Sequence, residues 1–248
     1  MIHDVIAIGG GVAGIYQIKK LIDNGFNALM LEANDDLGGT WFKNRYPGCR
    51  FDSESYSYGY SFSRELVNEW HWKERFSPQP ENLKYLNFVA DKFDLRAHMR
   101  FNAAVESTAW DEAKRVWNLK LHDGTTLTSR FVVTCVGVLS VPFLPSIDGK
   151  DNFAGKSFHT FDWPAEGIDL TNSRVGIIAH GISAPRQLEH SAQQRSNKRT
   201  RDGGDSGQLR QHSCDLRRVP GWLCASTGPS RIRYGHSGRA RSAVGRTV

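Results

Sequence analysis

The chain has 248 residues, 39% hydrophobic and 11% aromatic, enough to bury a core in one large domain or two small ones. Its net charge of +6 is unevenly placed: residues 185–248 hold 13 Lys+Arg against 4 Asp+Glu, while residues 1–184 hold 19 against 22. A basic nucleic-acid binder is therefore excluded for the first three-quarters of the chain.

No apolar run reaches the ~18 residues of a membrane span; the longest, Phe131 to Pro145, is broken by Thr134, Gly137, Ser140 and Pro142. The first residues lack the basic region and small-residue cleavage site of a signal peptide. Cys49, Cys135, Cys214 and Cys224 are widely spread and form no Cys-x-x-Cys pair, so neither a metal site nor a disulfide framework is expected. A reducing cytoplasm is the expected compartment.

Residues 2–8 (IHDVIAI) read as a short buried strand ended by glycines, and residues 12–24 as a helix with Ile15, Ile18, Leu21 and Ile22 on one face. Gly25 is placed to close that helix. Residues 27–31 give a second strand ending at Glu32, which completes a βαβ unit of ordinary size. Residues 38–62, rich in Gly, Tyr, Ser and Arg, read as a long ordered loop. Helices are expected at 64–75 and 80–94, the second carrying the apolar stripe Leu83, Leu86, Val89, Ala90 and Phe93. Residues 116–121 alternate as a strand. Asp123-Gly124 marks a hairpin into Thr125–Thr128, residues 131–136 read as a separate buried strand, and Arg174–Ile178 as the start of a new central strand.

Gly9-x-Gly11-x-x-Gly14 lies between the first strand and the first helix, the setting a dinucleotide-binding turn requires. Gly9 permits the tight turn, Gly11 the close approach of a pyrophosphate, and Gly14 the packing of helix on strand. The helix N-terminus offers unpaired N–H groups to phosphate. Glu32, 23 residues after Gly9, is placed to accept hydrogen bonds from a ribose diol. Its charge disfavours a 2′-phosphate, so the site suits FAD or NAD better than NADP.

Leu37-Gly38-Gly39-Thr40-Trp41-Phe42-Lys43-Asn44-Arg45-Tyr46-Pro47-Gly48, then Asp52-Ser53-Glu54-Ser55, resembles the class B flavin monooxygenases, specifically the Baeyer–Villiger monooxygenases of the cyclohexanone/phenylacetone monooxygenase type. Phe153-x-Gly155-x-x-x-His159-Thr160-x-x-Trp163-Pro164 matches that family's fingerprint, and the resemblance runs from about residue 3 to about 178. It implies FAD on Gly9, Gly11, Gly14 and Glu32. It also implies Gly39, Thr40, Trp41, Phe42 and Lys43 along the flavin, Arg50, Phe51 and Asp52 beside its ring, and Tyr58 and Val105 as further contacts. Asp52 is the expected catalytic residue, tuning the flavin through charge, and His159 is expected to be structural. The implied reaction uses NADPH and O2 to convert a ketone to an ester or lactone.

The implied NADPH site is broken: after Ile178 the chain reads Ala179-His180-Gly181-Ile182-Ser183-Ala184, with only the middle glycine kept. Residues 185–248 then carry 12 Arg, 1 Lys and 2 aromatics, and resemble an out-of-frame translation more than a nucleic-acid-binding tail. The expected fold is α/β: a Rossmann-type FAD-binding domain at 1–145 with a helical and hairpin insertion, a linker with the start of an incomplete second Rossmann domain at 146–184, and a disordered tail at 185–248. A catalytically inactive FAD-binding fragment and an N- or S-oxidising flavin monooxygenase remain alternatives.

Overall fold

The computed structural model describes residues 2–138, 140–144 and 146–169, together with the short strands His212–Ser213 and Ala225–Ser226. Contacts divide the chain into two compact units, Met1–Ile168 and Asp169–Val248.

In the first unit, β1 (Ile2–Ile8) is central to a six-stranded sheet. Val5 and Ala7 enter one hydrophobic cluster and Ile6 another, so the strand is covered on both faces, as parallel strands are. The helix α1 (Val12–Asp23) buries Ile15, Ile18 and Leu21. It ends at Gly25 (φ +76°), whose N–H donates to the Ile22 carbonyl at 2.9 Å while Phe26 N–H returns to Leu21. A left-handed residue at this point is a natural helix stop. The chain then re-enters the sheet as β2 (Ala28–Leu31), parallel to β1 with Val5 opposite Ala28 and Ile8 opposite Leu31.

The segment expected to be one long loop contains two single-turn helices, α2 (Thr40–Lys43) and α3 (Ser55–Tyr58). The helix expected at 64–75 is shorter: α4 spans Arg64–Glu69, with the Ser63 hydroxyl capping Leu66 N–H at 3.2 Å. It stops because Trp70 turns extended (φ −93°, ψ 119°) and, with Trp72, packs against Tyr85. Packing two partly buried indoles on Tyr85 outweighs continuing an exposed helix. The next helix, α5 (Gln79–Lys92), starts after Pro78 with a second proline in its first turn, where no N–H is needed. Of its expected stripe, Leu86, Val89 and Ala90 are buried, and Leu83 and Phe93 are partly so.

Beyond a two-residue strand β3 (Met99–Arg100) on the outer edge of β2, the chain forms an antiparallel meander of β4 (Val105–Asp111), β5 (Val116–Leu121) and β6 (Thr126–Thr134). The strand order is β3-β2-β1-β6-β5-β4. The hairpin after β5 turns at Gly124 (φ +83°), with the Asp123 carboxylate accepting from Thr125 N–H. The two pieces expected at 125–128 and 131–136 are one strand. Its first half pairs with β5 as far as Ser129, and its second half with β1 as far as Thr134. Beyond Ser129 no β5 partner borders it, and Phe131 and Val136 are exposed rather than buried.

In the second unit, β7 (His212–Ser213) and β8 (Ala225–Ser226) form a minimal antiparallel pair within the segment expected to be disordered. The strand expected at Arg174–Ile178, the broken second glycine motif and the rest of the tail lie outside the described residues.

Candidate functional site

The Gly9–Gly14 turn sits at the carboxyl end of β1. Gly9 has φ +108°, and a Cβ there would fall 2.6 Å from the Cys135 carbonyl oxygen. A Cβ on Gly14 would overlap the Gly9 carbonyl oxygen and lie 2.9 Å from its carbon. The two glycines thus let β1, α1 and the end of β6 close on one another. Gly11 is the N-cap of α1 without any side-chain cap, and no acidic residue lies in the helix's first turn. The first intrahelical donor is Ile15 N–H, bonded to Gly11 at 3.0 Å. The N–H groups of the preceding turn are therefore those a helix leaves for an anion.

Glu32 is 4% exposed, directly after β2. Its Oε2 accepts from Gly10 N–H at 2.5 Å, and its Oε1 accepts from Asn34 N–H at 2.9 Å and Asn34 Nδ2 at 2.5 Å. A carboxylate has about four lone-pair positions, so three donors leave room for one more. Sequence reasoning missed both Gly10, whose absent side chain makes space for this carboxylate, and Asn34. The signal was present as an Asn two residues beyond the acid, a spacing at which side chain and backbone bond locally. The backbone of Glu32 is also held, accepting from Ala103 N–H and donating to the Arg100 carbonyl. Val105 follows that segment at the start of β4, packed on the cluster of Ile6 and Leu31.

The Gly38-Gly39 pair folds back onto the glycine turn. Gly38 N–H donates to Gly10 at 2.9 Å, and a Cβ on Gly39 (φ +53°) would meet Gly11 Cα at 2.8 Å. From this contact α2 carries Thr40, Trp41, Phe42 and Lys43. Trp41 is buried; its indole N–H donates to the Tyr58 hydroxyl at 2.7 Å and its carbonyl accepts from Gln79, a partner that sequence reasoning missed. Phe51 is buried too, stacked on Tyr58 at 4.6 Å between ring centroids. Burial pushes the Tyr58 phenol up from its ordinary pKa, against the opposing effect of the Trp41 hydrogen bond. Three expected cofactor contacts are therefore brought together, but as one packed aromatic group. Arg50 donates to Glu74 at 2.7 Å and to the Phe76 carbonyl at 3.0 Å. Asp52 is exposed, next to buried Phe51.

The fingerprint segment meets the same region. A cavity of about 260 Å³ is lined by Phe42, Lys43 and Arg45 on one side and by Phe161, Asp162 and Trp163 on the other. Lys43 Nζ stands 5.7 Å from the Phe161 ring centroid, and the Arg45 guanidinium lies over Phe42 at 4.4 Å. His159 has a structural hydrogen bond: its Nδ1 accepts from Phe161 N–H at 3.1 Å and caps the helical turn Thr160–Asp162. The spacing Phe153-x-Gly155 is steric, because a Cβ on Gly155 would lie 2.7 Å from the Phe153 ring.

A glycine turn at the carboxyl edge of a parallel strand, an uncapped helix N-terminus and a buried acid after the neighbouring strand define a fold of the Rossmann type. The chain matches the flavin-binding monooxygenase-like family over residues 3–198, farther than the resemblance drawn to about 178, and it belongs to that family. It is 44% identical over 186 residues to 2-oxo-Δ3-4,5,5-trimethylcyclopentenylacetyl-CoA monooxygenase of Pseudomonas putida, covering 73% of this chain and 34% of that protein. It is 40% identical over 189 residues to acetone monooxygenase (methyl acetate-forming) of Gordonia sp., covering 76% and 36%. Among solved structures, oxidised steroid monooxygenase bound to NADP superposes with a TM-score of 0.74 at 42% identity, covering 78% of this chain and 37% of that one. The chain spans about a third of the length of these relatives. Among the described residues, no helix is long and apolar enough to cross a membrane.

Proposed function

We propose that the chain takes FAD on its glycine turn as part of a flavin-dependent monooxygenase of Baeyer–Villiger type, which uses NADPH and O2 to convert a ketone to an ester or lactone. The observation that carries this reading is the glycine turn itself: Gly9 and Gly14 leave no room for a Cβ between β1, α1 and the end of β6, and Gly11 opens the uncapped end of α1. The residues present fit the dinucleotide. Backbone N–H groups at Val12, Ala13 and Gly14, with the helix dipole, hold a pyrophosphate, and the remaining acceptor position of Glu32 takes a ribose hydroxyl. When bound, FAD supplies the redox and oxygen-activating chemistry, and the protein supplies orientation and charge.

Gly39 brings α2 against the glycine turn. Thr40, Trp41, Phe42 and Lys43 would lie along the flavin, with Trp41 held by its packing on Phe51 and Tyr58. Asp52, with Arg50 and Phe51 beside it, supplies a negative charge near the flavin ring, and Val105 packs behind the Glu32 loop. FAD binding occupies 1–145, and the fingerprint linker and the start of the NADPH-binding domain occupy 146–184. The free thiol of Cys135 suits a reducing cytoplasm.

The test is to mix the purified chain with FAD, remove free cofactor by gel filtration and record the visible spectrum. Retained flavin bands are expected, with little or no bleaching by NADPH and little or no ester formed from a ketone, because the second glycine motif keeps only Gly181. A chain that elutes without flavin refutes the proposal.

A further inference from the structure

Behind the glycine turn the aromatic rings form one unbroken run. Trp41, two residues past the Gly39–Gly11 contact, is hydrogen-bonded to Tyr58 at 2.7 Å, and Tyr58 stacks on Phe51 at 4.6 Å. Phe51 meets Trp72 edge-on at 6.2 Å, and Trp72 lies 4.8 Å from Tyr85. Tyr85 is 5.8 Å from Tyr60, which stacks with Tyr16 at 6.3 Å between centroids and 26° between planes. Tyr16 stands on the outer side of α1 and is 42% exposed. Every separation is an ordinary packing distance. Packing alone, however, is served by Phe and Leu, whereas every ring here except Phe51 is Trp or Tyr, the two aromatic side chains most readily oxidised by one electron. One end of the run lies beside the candidate cofactor turn and the other reaches water.

We infer that this run is a protective relay that carries an oxidising equivalent from the dinucleotide site to the surface and ends on Tyr16. The inner end rests on the proposed flavin site; the relay itself can be observed without flavin. The oxidant is an oxygen-centred radical of the peroxyl class, formed where oxygen is activated. It takes one electron from Trp41 and becomes the corresponding anion. Trp72 refills Trp41 across Tyr58 and Phe51, and Tyr16 refills Trp72 across Tyr85 and Tyr60.

No bond breaks along the way. Buried Tyr60 donates its O–H to the Val12 carbonyl at 2.6 Å, which is not a base, and the Tyr85 hydroxyl is occupied by Tyr60 N–H at 2.7 Å. Both phenols are buried, so they serve as bridges and not as resting places. At Tyr16 the O–H bond breaks: the proton passes to water as the electron moves inward. A soluble thiol then returns one hydrogen atom and leaves as a thiyl radical.

The experiment is pulse radiolysis of the purified chain with azide radical, a one-electron oxidant of tryptophan. The expected result is a concentration-independent decay of tryptophanyl absorption into tyrosyl absorption, with a freeze-quenched tyrosyl signal by electron paramagnetic resonance. Tyr16→Phe and Trp72→Phe, which keep the ring packing and are checked for an unchanged circular dichroism spectrum, each lose most of that phase. Tyr56→Phe, at an exposed tyrosine outside the run, keeps it. Absence of the phase in the parent chain, or an equal phase in the folded Tyr16→Phe and Tyr56→Phe variants, overturns the inference.

Discussion

Gly14→Ala is the sharpest perturbation of the cradle. In an exposed helix the change would stabilise by about 1 kcal/mol, since alanine is the better helix former. Here the new methyl would overlap the Gly9 carbonyl oxygen, lie 2.9 Å from its carbon and 3.2 Å from Met30 Sδ. The obstacle is backbone, so α1 must retreat from β1 by about 1 Å or more, and overpacking of this kind costs about 1–3 kcal/mol. The net expectation is a loss of up to ~2 kcal/mol in stability together with a larger fall in FAD affinity, because the helix N-terminus moves away from the pyrophosphate position. Gly25→Ala is the matched control. It has nothing within 4 Å but a φ of +76°, so it costs ~1–2 kcal/mol through left-handed strain and leaves FAD affinity unchanged. Urea denaturation reads the first quantity and a flavin fluorescence titration the second. A Gly14→Ala chain with parental stability and affinity, or a Gly25→Ala chain that loses affinity, refutes the reasoning.

Glu32→Gln puts an amide where three donors converge on a buried carboxylate, so denaturation should show a loss of ~1–3 kcal/mol and the flavin titration a weaker complex. Ser55→Ala, at a fully buried hydroxyl that donates to the Glu74 carbonyl and accepts from Ser77 N–H, strands those partners and should cost ~1–3 kcal/mol by the same measurement, with little direct effect on FAD. Burial raises the pKa of Tyr60, and that of Tyr85 to about 12. The neutral phenols are therefore favoured by the fold, and their stabilisation is complete below the ordinary value of 10.0 and lost as the pH climbs from there through about 12. Urea midpoints should fall across that window, and Tyr85→Phe should flatten the fall; a flat parental profile counts against the buried placement.

The parts of the fold legible in the sequence are those whose signals are local. The turn from Gly9 to Gly14 declares itself by spacing, β1 and β2 by short apolar runs, and the β5–β6 hairpin by Asp123-Gly124. What escaped depends on contacts between distant segments. α4 ends at Glu69 because Trp70 and Trp72 find Tyr85 on α5, which no helical periodicity reveals. β6 is one strand because β5 borders its first half and β1 its second. The same holds at the site. Glu32 was readable from its distance to Gly9, but its grip on Gly10 and Asn34 was not. Trp41, Phe51 and Tyr58 are expected cofactor contacts only through family resemblance, whereas their packing against one another emerges only in three dimensions. The His159 ring nitrogen caps the turn that follows it, a bond its spacing to Phe161 alone did not reveal.

The central claim is that the turn at the end of β1 holds a dinucleotide. The most direct measurement is a nitrogen-15 amide spectrum of the chain titrated with FAD. Progressive shifts at Gly9 to Gly14 and at Glu32 to Asn34 are predicted, with the Gly124 hairpin unmoved. An unchanged spectrum, or shifts confined to the Phe42–Trp163 cavity, would contradict it.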